Sequence, residues 1–299
     1  MKYLTKAMLT LLMIAGLVFT NGCETKKKPD EAKNVDSVAT NKDSTVDSGR
    51  AVNDPQILSQ LPAVSDMPYI LQNTGADFNP TLINPYGKAS TYAATTDKAA
   101  LNLGIYGTDI GYLSVYGKTQ DIINTVKSAQ KLSDQLGVTQ AFEASVQQRF
   151  EKNLSNKDSL TKIVNESMRA ADNFLKKADR SNTASLVATG AFVEGLYIAT
   201  QLVEKYPKDL KETGVLTELI KTVIDQKKSL ADLIDILKNA KQDASVAEYR
   251  KVLESLYETY KGSQLEEKIK SNKGDLRLTD KSIIDIANKV KEIRTKIVM

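Results

Sequence analysis

Apolar residues recur at intervals of three and four over most of the chain that follows Asp97. This interval is typical of amphipathic α-helices, because it places the apolar side chains on one face. Two segments show it most fully, one near Ser159–Ala178 and one near Leu216–Leu237. Their apolar positions are Leu160, Ile163, Val164, Met168, Ala171, Phe174, Leu175 and Ala178 in the first segment, and Leu216, Leu219, Ile220, Val223, Leu230, Leu233, Ile234 and Leu237 in the second. Both segments are predicted to be long helices with one buried face.

The same period predicts helices in six further segments. These are Asp97–Tyr116, Ile122–Leu136, Phe142–Phe150, Leu186–Val203, Val246–Tyr260 and Ile283–Val298. Alternating apolar runs joined by two-residue Gly or Asn turns, which mark β-hairpins, do not occur in the sequence. We therefore predict an all-α fold of about eight amphipathic helices. Because the connections look short, we expect an antiparallel bundle or stacked helical hairpins. A tetratricopeptide-like solenoid is the alternative, although no repeat of about 33–45 residues stands out.

Residues 55–96 have a different character from the helical segments. They contain five of the seven prolines, at Pro55, Pro62, Pro68, Pro80 and Pro85. Proline fixes its own φ and disfavours helix at the preceding residue, so we predict an irregular strap with short turns of helix at most. The aromatic residues of this strap are Tyr69, Phe78, Tyr86 and Tyr92. They either fill gaps between helices or form the rim of a binding surface.

The helix predicted at Asp97–Tyr116 has small residues along one side, namely Gly104, Gly107, Thr108 and Gly111. Each glycine inside a helix costs about 1 kcal/mol relative to alanine. Three of them in one helix therefore call for a packing reason. We predict that a neighbouring backbone approaches this side closely.

Two acidic residues lie among apolar ones. Asp109 falls on the aromatic side of the 97–116 helix, and Glu194 falls within the apolar segment Leu186–Val203. A buried carboxylate is costly unless it is paired or hydrogen-bonded, so each acid requires a tyrosine hydroxyl or a basic partner. Arg149 and Arg169 lie on predicted helices between the two acids in the chain. We take these two arginines as the candidate partners.

Two interpretations of these acids are open. In the first, they form a satisfied polar pair that fixes the register of the helices. In the second, they line a pocket that holds a small polar or cationic ligand through charge and ring faces. The residues of this candidate ligand pocket are Tyr106, Asp109, Tyr112, Tyr116, Arg169, Glu194 and Tyr197.

The composition excludes several kinds of enzyme. The chain has no histidine and one cysteine, so histidine-dependent nucleophiles, histidine-ligated metals and thiolate zinc sites are all excluded. A phosphate-binding GxxxxGKS loop is also absent from the sequence. We predict no catalytic residue, no cofactor and no metal ion. Carboxylate chemistry and catalysis by lysine or tyrosine stay open. The enzymatic alternative is a hydrolase that uses two carboxylates, for which Asp109 and Glu194 are a candidate pair.

The first 22 residues have the parts of a secretory signal peptide. Lys2 and Lys6 are followed by the uncharged run Ala7–Phe19 and then by small and polar residues up to Gly22. The apolar run is shorter than the roughly 20 residues that a membrane-spanning helix requires. We expect residues 1–22 to be removed.

Gly22 and Cys23 resemble the bacterial lipobox, in which a small residue precedes the cysteine that is acylated and becomes the new amino terminus. Thr20 and Asn21 make it a relaxed lipobox. Together with the content of Lys and Asn, it resembles those of Bacteroidota lipoproteins. The resemblance covers only the amino-terminal end. It implies lipidation of Cys23 and a location in the cell envelope, as an outer-membrane lipoprotein that faces the periplasm. A triacylated cysteine would stay in a bilayer, because each buried methylene contributes about 0.8 kcal/mol.

The segment Glu24–Asp54 contains no aromatic residue, no Leu and no Ile. Without apolar area to bury, it cannot offset the entropy of ordering, so we predict a flexible tether. The predicted organisation is therefore a signal peptide (1–22), a lipid anchor with a disordered tether (23–54), a Pro-rich strap (55–96) and a helical domain (97–299). The net charge of +4 and the lack of a basic stripe with interleaved aromatics argue against a nucleic-acid partner.

These patterns predict a membrane-anchored envelope lipoprotein with a non-catalytic binding or scaffolding role. The expected partners are the membrane, through the lipid anchor, and either a protein or a small ligand. The first alternative is a periplasmic module that binds a small ligand in the Tyr/Asp/Glu pocket. The second alternative is the carboxylate hydrolase.

Overall fold

The computed structural model describes residues 62–141, 145–206, 214–241, 243–263 and 281–299. The predicted signal peptide, Cys23 and the tether lie outside these residues, as does the start of the strap. The described residues form ten α-helices and no strand, which confirms the all-α prediction. The helices are α1 (Pro62–Asn73), α2 (Ala89–Tyr92), α3 (Thr96–Val115), α4 (Thr119–Leu136), α5 (Ser145–Lys152), α6 (Lys157–Lys177), α7 (Ser181–Glu204), α8 (Gly214–Asn239), α9 (Ala244–Gly262) and α10 (Lys281–Val298). Short 3-10 turns lie at Pro80–Leu82, Tyr86–Lys88 and Thr139–Ala141.

Several helices begin where the sequence supplies a capping side chain. The Thr95 hydroxyl accepts a hydrogen bond from the Lys98 N–H at the start of α3, at 3.2 Å. At the start of α9, the Asp243 carboxylate accepts one from the Val246 N–H at 2.8 Å. Such caps satisfy N–H groups that have no partner within the helix. Each of the eight segments predicted from the period contains a helix, with ends that differ by a few residues.

Helices α3 and α7 form the centre of the protein. In α3, 15 of the 20 residues are buried, and in α7, 20 of the 24. A helix buried on nearly all sides is expected to be apolar all round. Among the described helices, α7 alone is long and apolar enough to cross a membrane, and 94% of its most apolar stretch is buried inside the protein. That composition is equally typical of a core helix.

The other long helices surround this pair. Helices α4 and α6 pack on α3, whereas α8 and α10 pack on α7, and α9 lies against α8 and α10. The apolar stripe predicted for α8 is buried throughout, and that of α6 is buried or half-buried as far as Leu175. A smaller apolar cluster, formed around Ile110, Ile122 and Phe150, fills the space between α3, α4, α5 and α6.

The strap differs in part from its prediction. Helix α1 has three turns and contains Pro68, whereas we expected short turns of helix at most. Pro68 is buried, and its ring faces Gly111 of α3, where an added Cβ would lie 3.0 Å from the proline Cγ. Tertiary packing thus overrides the local preference of proline in this segment. Beyond α1, the described part of the strap contains two 3-10 turns and the single turn α2.

Candidate functional site

The two acids singled out in the sequence meet in the interior. Asp109 of α3 and Glu194 of α7 are both fully buried, and their carboxyl groups contact each other. Arg294 of α10 reaches the same point. Its Nε lies 2.9 Å from Glu194 Oε2, and its Nη2 lies 3.0 Å from Glu194 Oε1. This two-bond geometry is the strongest arrangement that an arginine and a carboxylate can adopt.

For Glu194 the prediction of a basic partner is right in kind and wrong in residue, whereas Asp109 accepts its hydrogen bond from a backbone N–H and not from a tyrosine or a basic side chain. Arg149 pairs with Glu166 near the surface, with Nη2 and Oε2 2.7 Å apart. Arg169 is exposed on α6. Arg294 was missed, although its position carries a signal, since it lies four residues after Val290 and three before Ile297 on the apolar stripe of its helix.

Two further contacts complete the surroundings of the acids. The backbone N–H of Asn84, in the strap, donates to Asp109 Oδ2 at 3.1 Å. The guanidinium carbon of Arg294 lies 4.5 Å from the centroid of the Tyr197 ring, which is a cation–π geometry. Among the described residues, no donor reaches Asp109 Oδ1. The strap and three helices thus meet at one buried polar cluster, consisting of Asn84, Asp109, Glu194, Tyr197 and Arg294.

Burial is the main cause of the electrostatic properties of this cluster. It raises the pKa of Asp109 well above the usual value for an aspartate, and the Glu194 carboxylate adds to the shift, whereas Arg294 opposes it. Burial alone would lower the pKa of Arg294, but Glu194, Asp109 and Tyr197 together outweigh that effect and raise it. The arginine therefore stays charged. Asp109 is the group whose ionisation the surroundings oppose.

The tyrosines of the predicted pocket hold the strap. The Tyr116 hydroxyl donates to the carbonyl of Ala76 at 2.6 Å, and the Tyr112 hydroxyl accepts from the Asn79 N–H at 3.1 Å. The Tyr106 hydroxyl donates to the carbonyl of Pro85 at 2.8 Å. Together with Asp109, these side chains form a row along α3 that binds backbone groups of residues 76–85 in reverse order. The chain's own backbone occupies this side of α3.

Aromatic packing supports the same contact. The ring of Phe78, in the strap, lies 5.5 Å from each of the Tyr112 and Tyr116 rings, measured between centroids. Burial raises the pKa of both tyrosines, which keeps their hydroxyls neutral. Phe78 and the buried Tyr92 fill gaps between helices, whereas Tyr69 and Tyr86 are about half exposed. The interpretation that the strap aromatics fill gaps between helices thus holds for Phe78 and Tyr92 and not for Tyr69 and Tyr86.

The seven residues of the predicted pocket divide into three places. Asp109, Glu194, Tyr106 and Tyr197 lie in or beside the buried cluster. Tyr112 and Tyr116 lie further along α3, against the strap. Arg169 is exposed on α6, away from both.

The end of α10 is bound by side chains from other elements. Asn102 Nδ2 lies 3.1 Å from the carbonyl oxygen of Ile297, and the Tyr92 hydroxyl lies 3.1 Å from that of Val298. Lys88 Nζ lies 3.4 Å from the same Val298 oxygen. The last carbonyls of a helix have no partner within it, so these donors satisfy groups that would otherwise be left buried and unpaired. Helix α10 is therefore held by polar contacts at its end as well as through Arg294.

A groove of about 540 Å³ lies on the surface between α9 and α10. Its residues recur at helical spacing on both helices: Glu248, Lys251, Val252 and Ser255 on α9, and Lys289, Glu292, Ile293 and Lys296 on α10. Lys296 forms an ion pair with Glu248, and Lys289 lies 3.1 Å from Glu292. The groove therefore combines charges of both signs with two apolar side chains.

The described residues contain no group of three or more Cys, His, Asp or Glu side chains close enough to hold a metal ion. Comparison of the chain with protein-family models, with curated proteins and with solved structures finds no match. Its function is therefore inferred from its own sequence and geometry.

Proposed function

We propose that this protein is a lipid-anchored protein of the cell envelope whose helical domain binds or scaffolds a partner without catalysis. The observation that carries the proposal is Cys23, the only cysteine of the chain, placed directly after a segment with the features of a signal peptide. A single free thiol in an oxidising compartment is prone to unwanted disulfide formation. An acylated cysteine has no such liability.

The geometry of the two acids supports a non-catalytic role. A glycosidase-like mechanism requires two carboxyl groups about 5–10 Å apart, with room for substrate or water between them. Asp109 and Glu194 instead contact each other, have no exposed surface and engage Arg294. Their chemistry is used to hold helices together.

The position of the tyrosines supports binding at the surface rather than in the predicted pocket. The hydroxyls of Tyr106, Tyr112 and Tyr116 already bond to the strap backbone. The groove between α9 and α10 has a volume of about 540 Å³, whereas a cleft beside Gly107 and Gly111 has one of about 10 Å³. We assign the binding role to the groove.

The character of the groove indicates the kind of partner. Among the described residues, the large apolar side chains that are more than a third exposed are Tyr69, Tyr86, Ile284 and Met299, which lie on different elements or at opposite ends of α10. A groove lined by three lysines and two glutamates favours a partner with complementary charges, whose binding weakens as salt screens those charges.

The anchor is tested with Cys23→Ala in the full-length chain, expressed in a bacterial host that processes lipoproteins. We expect radiolabelled palmitate to enter the wild type and not the variant, and we expect the variant to leave the membrane fraction. Ser48→Ala, in the same tether, is the matched control and should behave like the wild type. The proposed lipid anchor would be contradicted if the wild type incorporated no palmitate and the Cys23→Ala variant still sedimented with the membranes as the wild type does.

The binding role is tested with a photo-crosslinking residue placed in the groove at Lys251. The control position is Lys228 on α8, whose side chain is 86% exposed and lies outside the groove. We expect a discrete adduct from Lys251 in intact envelopes, a weaker one in high salt, and none from Lys228. Equal labelling from both positions, or adducts insensitive to salt, would argue against a specific charged groove.

A further inference from the structure

The buried polar cluster has an imbalance of formal charge. It contains two carboxyl groups, from Asp109 and Glu194, and one guanidinium, from Arg294. The other titratable groups that face Asp109 are the phenols of Tyr92, Tyr106 and Tyr197, and burial raises the pKa of each of them. With both acids ionised, the cluster would hold one uncompensated negative charge on two side chains that have no solvent exposure. Such a charge is very costly, and buried acids commonly avoid it by keeping a proton.

The hydrogen-bond geometry indicates where that proton lies. Two carboxyl groups in contact repel each other unless a proton lies between them. Both oxygens of Glu194 accept from Arg294, and Asp109 Oδ2 accepts from the Asn84 N–H. Asp109 Oδ1 has no donor among the described residues. A proton on Oδ1 would make this oxygen a donor and would satisfy every oxygen of the pair.

We propose that the Asp109–Glu194 pair is a proton-binding site that locks the carboxyl-terminal helix α10 onto the α3/α7 core. The proton resides on Asp109 and is donated towards Glu194, which remains free to bind Arg294 through both oxygens. When the proton leaves, two carboxylates face one guanidinium. The excess negative charge is then stabilised by hydration, when α10 moves away far enough for water to reach the acids.

Four elements, the strap and helices α3, α7 and α10, converge on this site, which is why the effect would extend beyond a single side chain. Asp109 of α3 holds the strap through Asn84, Glu194 belongs to α7, and Arg294 lies one turn before the end of α10. The contacts at the end of α10, made by Asn102 and Tyr92, do not involve either acid. Opening is therefore expected to begin around Arg294 and not at the carboxyl-terminal turn.

The direction of the pH dependence follows from proton linkage. An unfolded aspartate loses its proton at about pH 3.9, whereas the folded protein retains it to much higher pH. The closed state, in which α10 is docked on the α3/α7 core, therefore binds more protons than the open state, in which α10 has moved away. Each pH unit above about 4 favours the open state tenfold, until the folded site itself ionises and the dependence ends.

The proton itself is tested by infrared spectroscopy near neutral pH on the full-length chain with Cys23→Ala, because the ester carbonyls of an acylated Cys23 would absorb in the same region. We expect the C=O stretch of a protonated carboxylic acid, and we expect Asp109→Asn to remove it. Glu194→Gln should also remove it, because Asp109 would then be the only anion beside Arg294 and would ionise. A Cys23→Ala chain without this band, or a band unchanged in both variants, would overturn the proposal.

The lock is tested by hydrogen exchange of the α10 amides between pH 5 and 9, with each rate divided by its intrinsic value at that pH. We expect wild-type protection around Arg294 to fall up to tenfold per pH unit. Asp109→Asn should stay protected across the range, since its amide would donate to Glu194 and accept from Asn84. Glu166→Gln, which removes a carboxylate of an exposed ion pair, is the matched control and should keep the wild-type slope. The same slope in wild type and Asp109→Asn would overturn the lock.

Discussion

The two sides of α3 contact their neighbours in different ways. The side at Gly104 touches the backbone of α7, and an added Cβ there would lie 2.0 Å from the Val187 carbonyl oxygen. The contact is reciprocal, because a Cβ at Gly190 would lie 1.9 Å from the Leu101 carbonyl oxygen. The other side carries Tyr106, Tyr112 and Tyr116, which reach the strap through single hydrogen bonds. The contact with α7 leaves no space for even one added methyl group, so a single substitution should disrupt it. The contact with the strap consists of separate hydrogen bonds, so each substitution there should remove only part of the stability.

The largest effect is expected at the glycine contact. Gly104→Ala would force α3 and α7 apart, because the clashing atoms belong to the backbone and cannot rotate away. Overpacking usually costs about 1–3 kcal/mol, and we expect about 5 kcal/mol here, enough to unfold much of the protein at ambient temperature. Chemical denaturation followed by far-UV circular dichroism measures the loss.

Gly107→Ala is the matched control on the same helix. A Cβ at Gly107 meets only the side chain of Met168, whose sulfur would lie 3.2 Å away. A methionine side chain adapts readily, and alanine favours helix over glycine by about 1 kcal/mol, so this variant should be neutral or slightly more stable than wild type. If Gly104→Ala and Gly107→Ala had the same stability, α3 and α7 would not be in backbone contact.

The next largest effect is expected at the buried polar cluster. Arg294→Met keeps much of the side-chain volume but leaves Glu194 buried without its cation. Removal of one partner from a buried pair typically costs about 3–5 kcal/mol, and we expect about 3 kcal/mol here, because the Arg294 side chain retains 13% exposure. Differential scanning calorimetry at pH 7 would report the loss as a lower melting temperature.

Arg149→Met provides the comparison for a pair at the surface. The Arg149 and Glu166 side chains are both more than 40% exposed, and pairs of this kind contribute about 0–1 kcal/mol. A second test combines Arg294→Met with Glu194→Leu, which should recover stability, since apolar replacement of a whole buried pair is often neutral. A double variant no more stable than Arg294→Met alone would show that the cost does not arise from an unpaired carboxylate.

The sequence predicts that a backbone approaches the glycine side of α3, but it does not predict which elements make the contacts. The glycine pattern predicted a close backbone approach, and Gly104 confirms it. The pattern did not show that the glycines face three neighbours, with Gly104 against α7, Gly107 against Met168 of α6 and Gly111 against Pro68 of α1. Helical period indicates which residues share a side, but the identity of the neighbour depends on tertiary packing.

The polar cluster shows the same limit. Burial of Asp109 and Glu194 and their need for a basic partner followed from the apolar residues around them. The partner did not, because Arg294 is 100 residues from Glu194 and no local rule links them. Arg149 and Arg169 lie between the two acids in the chain, but both are on the surface side of their helices. The sequence signal that indicates Arg294 is a basic residue placed on an apolar stripe.

The smallest effect is expected on the tyrosine side. Tyr116→Phe removes the hydroxyl that donates to the Ala76 carbonyl at 2.6 Å, and the net loss of one such bond is about 1 kcal/mol. Tyr69→Phe is the control, since that residue is 48% exposed and its change should alter stability by less than about 0.5 kcal/mol.

The tyrosine contacts should also act locally and independently. Tyr116 and Tyr106 bond to opposite ends of the 76–85 segment, so the losses from Tyr116→Phe and Tyr106→Phe should add in the double variant. Hydrogen exchange should show weaker protection within residues 76–88 while α7 stays unchanged. If one hydroxyl removed as much stability as both together, the strap would dock as a single cooperative unit, and the two sides of α3 would be more alike than their contacts indicate.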